Sequence, residues 1–315
     1  MPGRSSLSRL RPYAQLVRLP NVFTALADIA LGALAVRRLN PGISLSRWWW
    51  TTTMLLAASA CLYCAGMVWN DFFDLEQDRR ERPFRPLPSG RITRTAAGRF
   101  GAGLLGAGLL FALLAGWQAG RMLWLPGILA VLLAGAILLY DGWLKRTWAG
   151  PPGMGTCRFL NVLLGLSAGN RLLGHWGVDV AVVVGLYIVG VTWFARTEAR
   201  LSRRRSLIGA ALVMLAALML ALPLPEVVPE FASQHVTSPL FPYLLVLLGF
   251  LVGLPVCRAI AWPSPLAVQP AVKRAILGLV VLDAVLATTV AGVAGLGILV
   301  LLLPALYLGR WIYST

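Results

Sequence analysis

The sequence is short of negative charge. Among 315 residues only 12 are Asp or Glu, and charged residues of both signs make up 13% of the chain. A soluble domain carries about a quarter, so a soluble globular fold is excluded. No polar stretch is long enough to hold a separate core. Lysine is nearly absent too: Lys145 and Lys273 are the only two, and the net charge of +16 comes from arginine. Those arginines stand at the ends of apolar segments and not on one polar face. That is the pattern of membrane topology signals and argues against nucleic acid as a partner. Cysteine and histidine are equally scarce. Cys61, Cys64, Cys157 and Cys257 fall in or beside apolar segments, so they read as small packing residues and imply no disulfide framework. His175 and His235 lie far apart in short connecting loops, and neither has a partner at zinc spacing.

Apolar residues are what the chain has in quantity, at 58%. Runs fall near 20–36, 50–69, 95–118, 122–140, 154–172, 176–195, 205–223, 240–260 and 271–311. A bilayer core takes roughly 20 residues of helix. The last run is about twice that, with a break expected near 292–297. The reading is one all-α integral membrane domain over residues 1–315, a bundle of nine or ten transmembrane helices. Turn signals at 39–42, 149–153, 223–230 and 262–265 separate the runs. Residues 1–19 form a basic amphipathic lead-in lying on the membrane surface. The run after it is interrupted by Asn21 and Asp28 and followed by Arg37 and Arg38, so it reads as a retained first helix and not a signal peptide. With ten spans, alternate loops carry 21 against five Lys and Arg, which places the N-terminus and the 70–94 loop in the cytoplasm. The lack of a transit-type leader, with so many arginines, favours a bacterial cytoplasmic membrane.

Five of the 12 acidic residues crowd into NDFFDLEQDRRERPFRPLPSG, residues 70–90. If the second helix runs on through residue 78, Asp71, Asp74 and Asp78 share one stripe about 60° wide, and Glu76 falls on the opposite side. Three stacked carboxylates repel one another. A hard divalent cation removes that cost, and Mg²⁺ suits an all-oxygen ligand set. The other reading is a solvated acidic helix end, neutralised by Arg79, Arg80, Arg82 and Arg85. The arginines that follow can bind phosphate bidentately, and Pro83, Pro86 and Pro88 stiffen their loop. Carboxylates beside an arginine cluster are what a magnesium–diphosphate complex requires. Asn21, Asp28, Arg158, Asn161 and Asp283 sit at membrane depth, where polar groups are expensive. Asn21, Arg158 and Asn161 are expected to line one cavity. Asp28 and Asp283 lie deeper and suit pairing between helices.

Together these residues resemble the UbiA superfamily of intramembrane prenyltransferases. The family motif N-D-x-x-D-x-x-x-D, followed by R-P-L-x-x-G, is present as Asn70, Asp71, Asp74 and Asp78 and then residues 85–90. YDGWLKR, residues 140–146, is similar to the family's Y-x-x-x-K-R loop between helices four and five. GPPGMGTCRFLNVLLG suggests the EboC-like branch. The resemblance implies a central cavity opening to the cytoplasmic side, holding a polyprenyl diphosphate whose tail lies among the helices and membrane lipid. It implies catalysis at Asn70, Asp71, Asp74 and Asp78, with Mg²⁺ on the three aspartates. It implies a diphosphate bound by Arg82, Arg85, Lys145, Arg146, Arg158, Asn21 and Asn161. One departure stands out. Where the family has a second Asp-rich motif, this chain reads WFARTEARLSRRR, with Glu198 as the only carboxylate. Glu198, helped by Asp141, is expected to keep one metal contact while the arginines share the diphosphate charge. The alternative is a non-catalytic lipid-diphosphate-binding or transport-assisting protein on the same scaffold. A CDP-alcohol phosphotransferase is set aside, because D-x-x-D-G-x-x-A-R followed by G-x-x-x-D-x-x-x-D is missing. The acceptor, the prenyl length and the oligomeric state are not legible.

Overall fold

The computed structural model describes residues 6–117, 124–169, 174–199, 201–228 and 237–312. His235 and the arginines at 4, 121, 171 and 200 lie outside the described residues. Twelve α-helices follow in order: α1 Ser6–Leu16, α2 Val22–Leu39, α3 Leu45–Phe73, α4 Leu75–Glu81, α5 Arg94–Trp117, α6 Leu125–Gly142, α7 Gly150–Leu166, α8 Gly174–Ala195, α9 Arg204–Ala221, α10 Phe241–Ala261, α11 Pro265–Ala291 and α12 Leu302–Trp311. Among the described residues eight helical stretches are long and apolar enough to cross a membrane. The protein is a multi-pass membrane protein.

Two details connect those eight with the nine or ten expected. The first is α7, which has 17 residues and carries Arg158, so it falls short by length. It is nonetheless packed between α2, α6 and α8. The second is the 47-residue stretch Pro265–Trp311, which is not one rod. The chain turns at Gly292, whose φ of +57° and ψ of −147° suit glycine almost alone. A 3-10 segment, Gly292–Leu301, then folds back along α11, and α12 ends beside the 3-10 turn Leu19–Asn21 at the start of α2. The final run is therefore two passes, broken where the glycines predict.

Lipid-facing side chains are apolar, as on α9 and α10, where Leu212, Leu215, Leu247 and Phe250 are exposed. Exposed tryptophans cluster at the helix ends: Trp49, Trp50, Trp117 and Trp124 at one end of the bundle, and Trp143, Trp148, Trp262 and Trp311 at the other. Such belts mark the two membrane–water interfaces.

Inside the bundle, close approach replaces hydrophobic sorting, because lipid is as apolar as leucine. The tightest crossing joins α2 to α7. A Cβ on Gly32 would stand 2.4 Å from the carbonyl carbon of Gly165, and one on Gly165 would stand 2.9 Å from Ile29 Cα. Neither neighbour is a side chain that can swing away. Gly32→Ala is expected to force the two helices apart and to cost about 2 kcal/mol, read as a lower melting temperature of the detergent-purified protein. An unchanged melt contradicts this account of the crossing.

Candidate active site

α3 has 29 residues and is about 43 Å long at 1.5 Å per residue. That exceeds a bilayer core, so its last turns, with Asn70 and Asp71, reach the membrane surface. The helix does not run on to residue 78. It ends at Phe73, Asp74 adopts φ −92° and ψ 5°, and the short helix α4 begins at Leu75. The cause is tertiary. Lys145 and Arg146, from the segment after α6, donate to Asp74 at 2.7 and 3.1 Å, and Arg146 also donates to the Phe73 carbonyl at 3.2 Å. Cations on the last carbonyls stabilise a helix end at that point. The continuous stripe of three aspartates is thereby corrected. Asp74 faces Lys145 and Arg146, while Asp71 and Asp78 face Arg85.

Arg85 is the centre of the second group. Its Nη1 donates to Asp71 Oδ1 at 3.3 Å and to Asp78 Oδ2 at 2.7 Å, with all three side chains about one-twentieth exposed. The proline-rich loop aims it inward. Ser89 caps the Arg85 carbonyl at 2.6 Å, the Ile92 amide donates to the Pro86 carbonyl, and Gly90 takes a φ of +73°. Leu87 and Ile92 bury against Leu16, Val17, Val68, Leu75 and Ala97, which anchors the loop across α1, α3, α4 and α5. Asn70 joins the two groups. Its Oδ1 accepts from Lys145 at 3.0 Å and its Nδ2 donates to Asp71 at 3.4 Å. Burial pushes the Asp78 carboxyl up, with Arg85 working against the rise. Burial and nearby Arg18 lower the Arg85 guanidinium.

Of the expected neutralising arginines, Arg79 pairs outward with Glu76 at 2.7 Å and Arg80 is exposed, while Arg85 turns into the site. Arg82 is half-buried and close enough to act on both Asp78 and Glu198. Sequence reasoning missed Arg18. It donates to Asp71 at 3.3 Å from a left-handed conformation, φ 47° and ψ 51°, at the joint between α1 and α2. A non-glycine residue held there stores strain, which clusters at functional sites. The adjoining Pro20 and Asn21 were the available signal.

Behind this rim lies a cavity of about 370 Å³. Asn21, Asp141, Arg158, Asn161 and Glu198 all line it, together with Arg18, Ser59 and Tyr63. The expected cavity residues are thus brought together. Arg158 was grouped with the diphosphate arginines, but here it is held by Asp28 at 3.1 Å on the inner wall. Among the described residues, no His, Cys, Asp or Glu group of three gathers round one point as a metal cage. The free cysteines are divided: Cys157 is buried on the cavity wall, Cys61 and Cys64 are half-buried, and Cys257 is exposed. His175 is exposed.

The profile of the UbiA prenyltransferase family matches residues 26–267. The chain belongs to that family. Among its curated relatives is a digeranylgeranylglyceryl phosphate synthase of Ignicoccus hospitalis, 29% identical over 198 residues, or 61% of this chain and 57% of the relative. The synthase of the same name from Methanothermobacter thermautotrophicus is 34% identical over 186 residues, 56% of each chain. The matched region thus spans little more than half the length of these relatives, and neither carries the EboC-like name. Among solved structures, one described as digeranylgeranylglyceryl phosphate synthase in membranes aligns with a TM-score of 0.63 at 23% identity, over 91% of this chain and 99% of the other. A UbiA homologue from Archaeoglobus fulgidus, bound to GPP and Mg²⁺, aligns at 0.54 and 16% identity over 87% and 99%. These likenesses establish the fold of the UbiA family member described here.

Two outcomes follow from the geometry. Removing one partner of a buried ion pair costs about 3–5 kcal/mol. Arg85→Met, which takes from buried Asp78 its ion-pair partner at 2.7 Å and from Asp71 one of two, is therefore expected to melt far below Arg79→Met, whose partner Glu76 is exposed, in the same detergent. Equal melts overturn Arg85 as the hub. The second concerns Glu198. Burial raises its carboxyl above the ordinary 4.5. Its contribution to stability is complete below the ordinary value and is lost as pH rises through the raised one. Glu198→Gln should flatten the fall in melting temperature above about pH 4.5 in metal-free buffer, and a slope equal to that of the parent chain would contradict this burial.

Proposed function

We propose that the protein is a membrane prenyltransferase that moves a prenyl group from an allylic polyprenyl diphosphate to an acceptor. The observation that carries this is the juxtaposition of Asp71, Asp74 and Asp78 with Arg85, Lys145 and Arg146 at the mouth of an apolar-walled cavity. Family membership and the GPP and Mg²⁺ bound by the Archaeoglobus homologue support the same reading. A single domain over the described chain, with the N-terminus and the site on the cytoplasmic side, is the arrangement that the arginine bias supports.

The donor set, three carboxylates, fits a hard cation. Asp71, Asp74 and Asp78 would hold Mg²⁺, with Glu198 the nearest counterpart of a second site. Bound Mg²⁺ supplies positive charge against the leaving pyrophosphate. Arg82, Arg85, Lys145 and Arg146 bind and orient the diphosphate, and Asn70 keeps Lys145 in register with Asp71. Asn21, Arg158 and Asn161 shape the inner wall. The allylic C–O bond breaks, its electron pair leaves on the pyrophosphate, and the acceptor atom that bonds to the allyl carbon gives up its proton. Apolar lining from Leu133, Ile137, Ile188 and Val191 keeps water from the allyl cation.

The lone carboxylate at the second motif favours one rival, a lipid-diphosphate-binding protein without turnover. Pyrophosphate release from geranyl diphosphate by the purified chain separates them. Turnover that needs Mg²⁺ and falls about 100-fold or more in Asp71→Asn and Asp74→Asn is expected, with a smaller fall for Glu198→Ala. Tight geranyl diphosphate binding without release, across a panel of acceptors, would leave only the rival. Unchanged turnover in Glu198→Ala would remove Glu198 from the metal set.

A further inference from the structure

The inner wall of the cavity carries a polar network apart from the diphosphate mouth. Arg18 and Arg158 are the only cations lining the cavity among the described residues. Arg18 is committed to Asp71 at the mouth. Arg158, on α7, donates from Nη1 to Asp28 Oδ2 at 3.1 Å and from Nη2 to Thr24 Oγ1 at 2.7 Å. Asn161, one turn further on, donates to the same Asp28 oxygen at 2.8 Å and to the Ala25 carbonyl at 2.9 Å, and its Oδ1 accepts from Ser59 at 2.8 Å.

This network is rigid. Asp28 and Asn161 each sit four residues before a glycine of the tightest helix crossing, Gly32 and Gly165. The backbone contact between those glycines fixes α2 on α7 one turn from the ion pair. Asn161 donates to the same Asp28 oxygen as Arg158 and so holds that carboxyl toward the guanidinium. From behind, fully buried Asp283 on α11 stands close to Asp28. Carboxyl groups outnumber guanidinium groups in the cluster.

The charge balance decides what fits here. An anionic headgroup entering beside the diphosphate would find Arg158 already neutralised by Asp28 at 3.1 Å. An uncompensated buried anion is strongly disfavoured. A neutral hydroxyl meets no such penalty, and Tyr63 and Thr192 on the wall offer it hydrogen-bonding groups. Ile276 and Leu279 flank them with apolar surface.

We propose that the inner wall takes an uncharged, hydroxyl-bearing acceptor headgroup and rejects carboxylate and phosphate acceptors, because Asp28 consumes the charge of Arg158. The word acceptor rests on the prenyltransferase reading. The charge preference rests on the network alone.

The test uses pairs with the same tail or ring and a neutral or an anionic head: 1-O-octylglycerol against its 3-phosphate, and 4-hydroxybenzyl alcohol against 4-hydroxybenzoate. Equilibrium dissociation constants are measured on the full chain in lipid nanodiscs with Mg²⁺ and pyrophosphate present, so that no turnover is needed. The neutral member of each pair is expected to bind at least about tenfold more tightly. Asp28→Asn, which leaves the guanidinium without its counter-charge, should shift the preference toward the anion by about the same factor. Equal or tighter anion binding by the parent chain overturns the proposal, as does binding of neither member, or a folded Asp28→Asn chain with unchanged preference. The parent-chain comparison decides by itself if Asp28→Asn fails to fold. Prenyl transfer from geranyl diphosphate is followed in parallel. Neutral-selective binding without any transfer would sink the enzyme reading and leave the charge preference standing.

Discussion

One guanidinium holds the charged rim together. Arg85 sits between two carboxylates that water barely reaches, and each of the three would be costly alone. Their mutual pairing makes it possible for α3 to carry Asp71 to its very end and for α4 to carry Asp78 directly below. The return loop is drawn under the helix ends by the same contact, and its two apolar residues, Leu87 and Ile92, then find a core. Asn70 and Lys145 extend the pairing to Asp74 and so to the segment after α6. A patch of like charge that would drive a bare helix apart becomes an ordered rim through its cations.

The same principle operates deeper in the bundle with a different result. Asp28, Arg158, Asn161, Ser59 and Thr24 lie at membrane depth, yet nearly every polar atom among them has a partner. In a medium without water that satisfaction is obligatory. The glycine crossing of α2 and α7 brings the partners within reach, since two backbones in contact place facing side chains one turn away within hydrogen-bond range. Small residues and polar residues thus depend on each other. The cavity lies between these two networks, with a charged mouth, a hydrogen-bonded inner wall and apolar sides.

Much of this was legible in the residues. The apolar runs predicted the passes, including the double one, because a bilayer imposes a length that composition cannot disguise. Asn70, Asp71, Asp74 and Asp78 were recognisable from spacing and motif, as was Arg85 behind them, whereas Arg79 and Arg80 face outward. The gathering of Asn21, Arg158 and Asn161 at one cavity was also foreseen, from the cost of polar groups at that depth. Helical periodicity failed at Asp74. It treats a helix as isolated, and two cations 71 and 72 residues further along the chain than Asp74 end this one. Arg18 was passed over because its left-handed backbone is set by the joint between two helices and leaves no mark in composition.

The sequence by itself determined that the chain is a membrane bundle with acidic and basic groups at one rim, since length, hydropathy and charge are local properties that survive without knowledge of neighbours. Only the tertiary structure decided which cation meets which carboxylate. Arg85 goes to Asp71 and Asp78, Lys145 to Asp74, and Arg158 to Asp28 and not to the rim. Each choice is a contact between distant segments, made by helix crossings that depend on backbone approach within a few ångströms, and no pattern along a single helix encodes that distance.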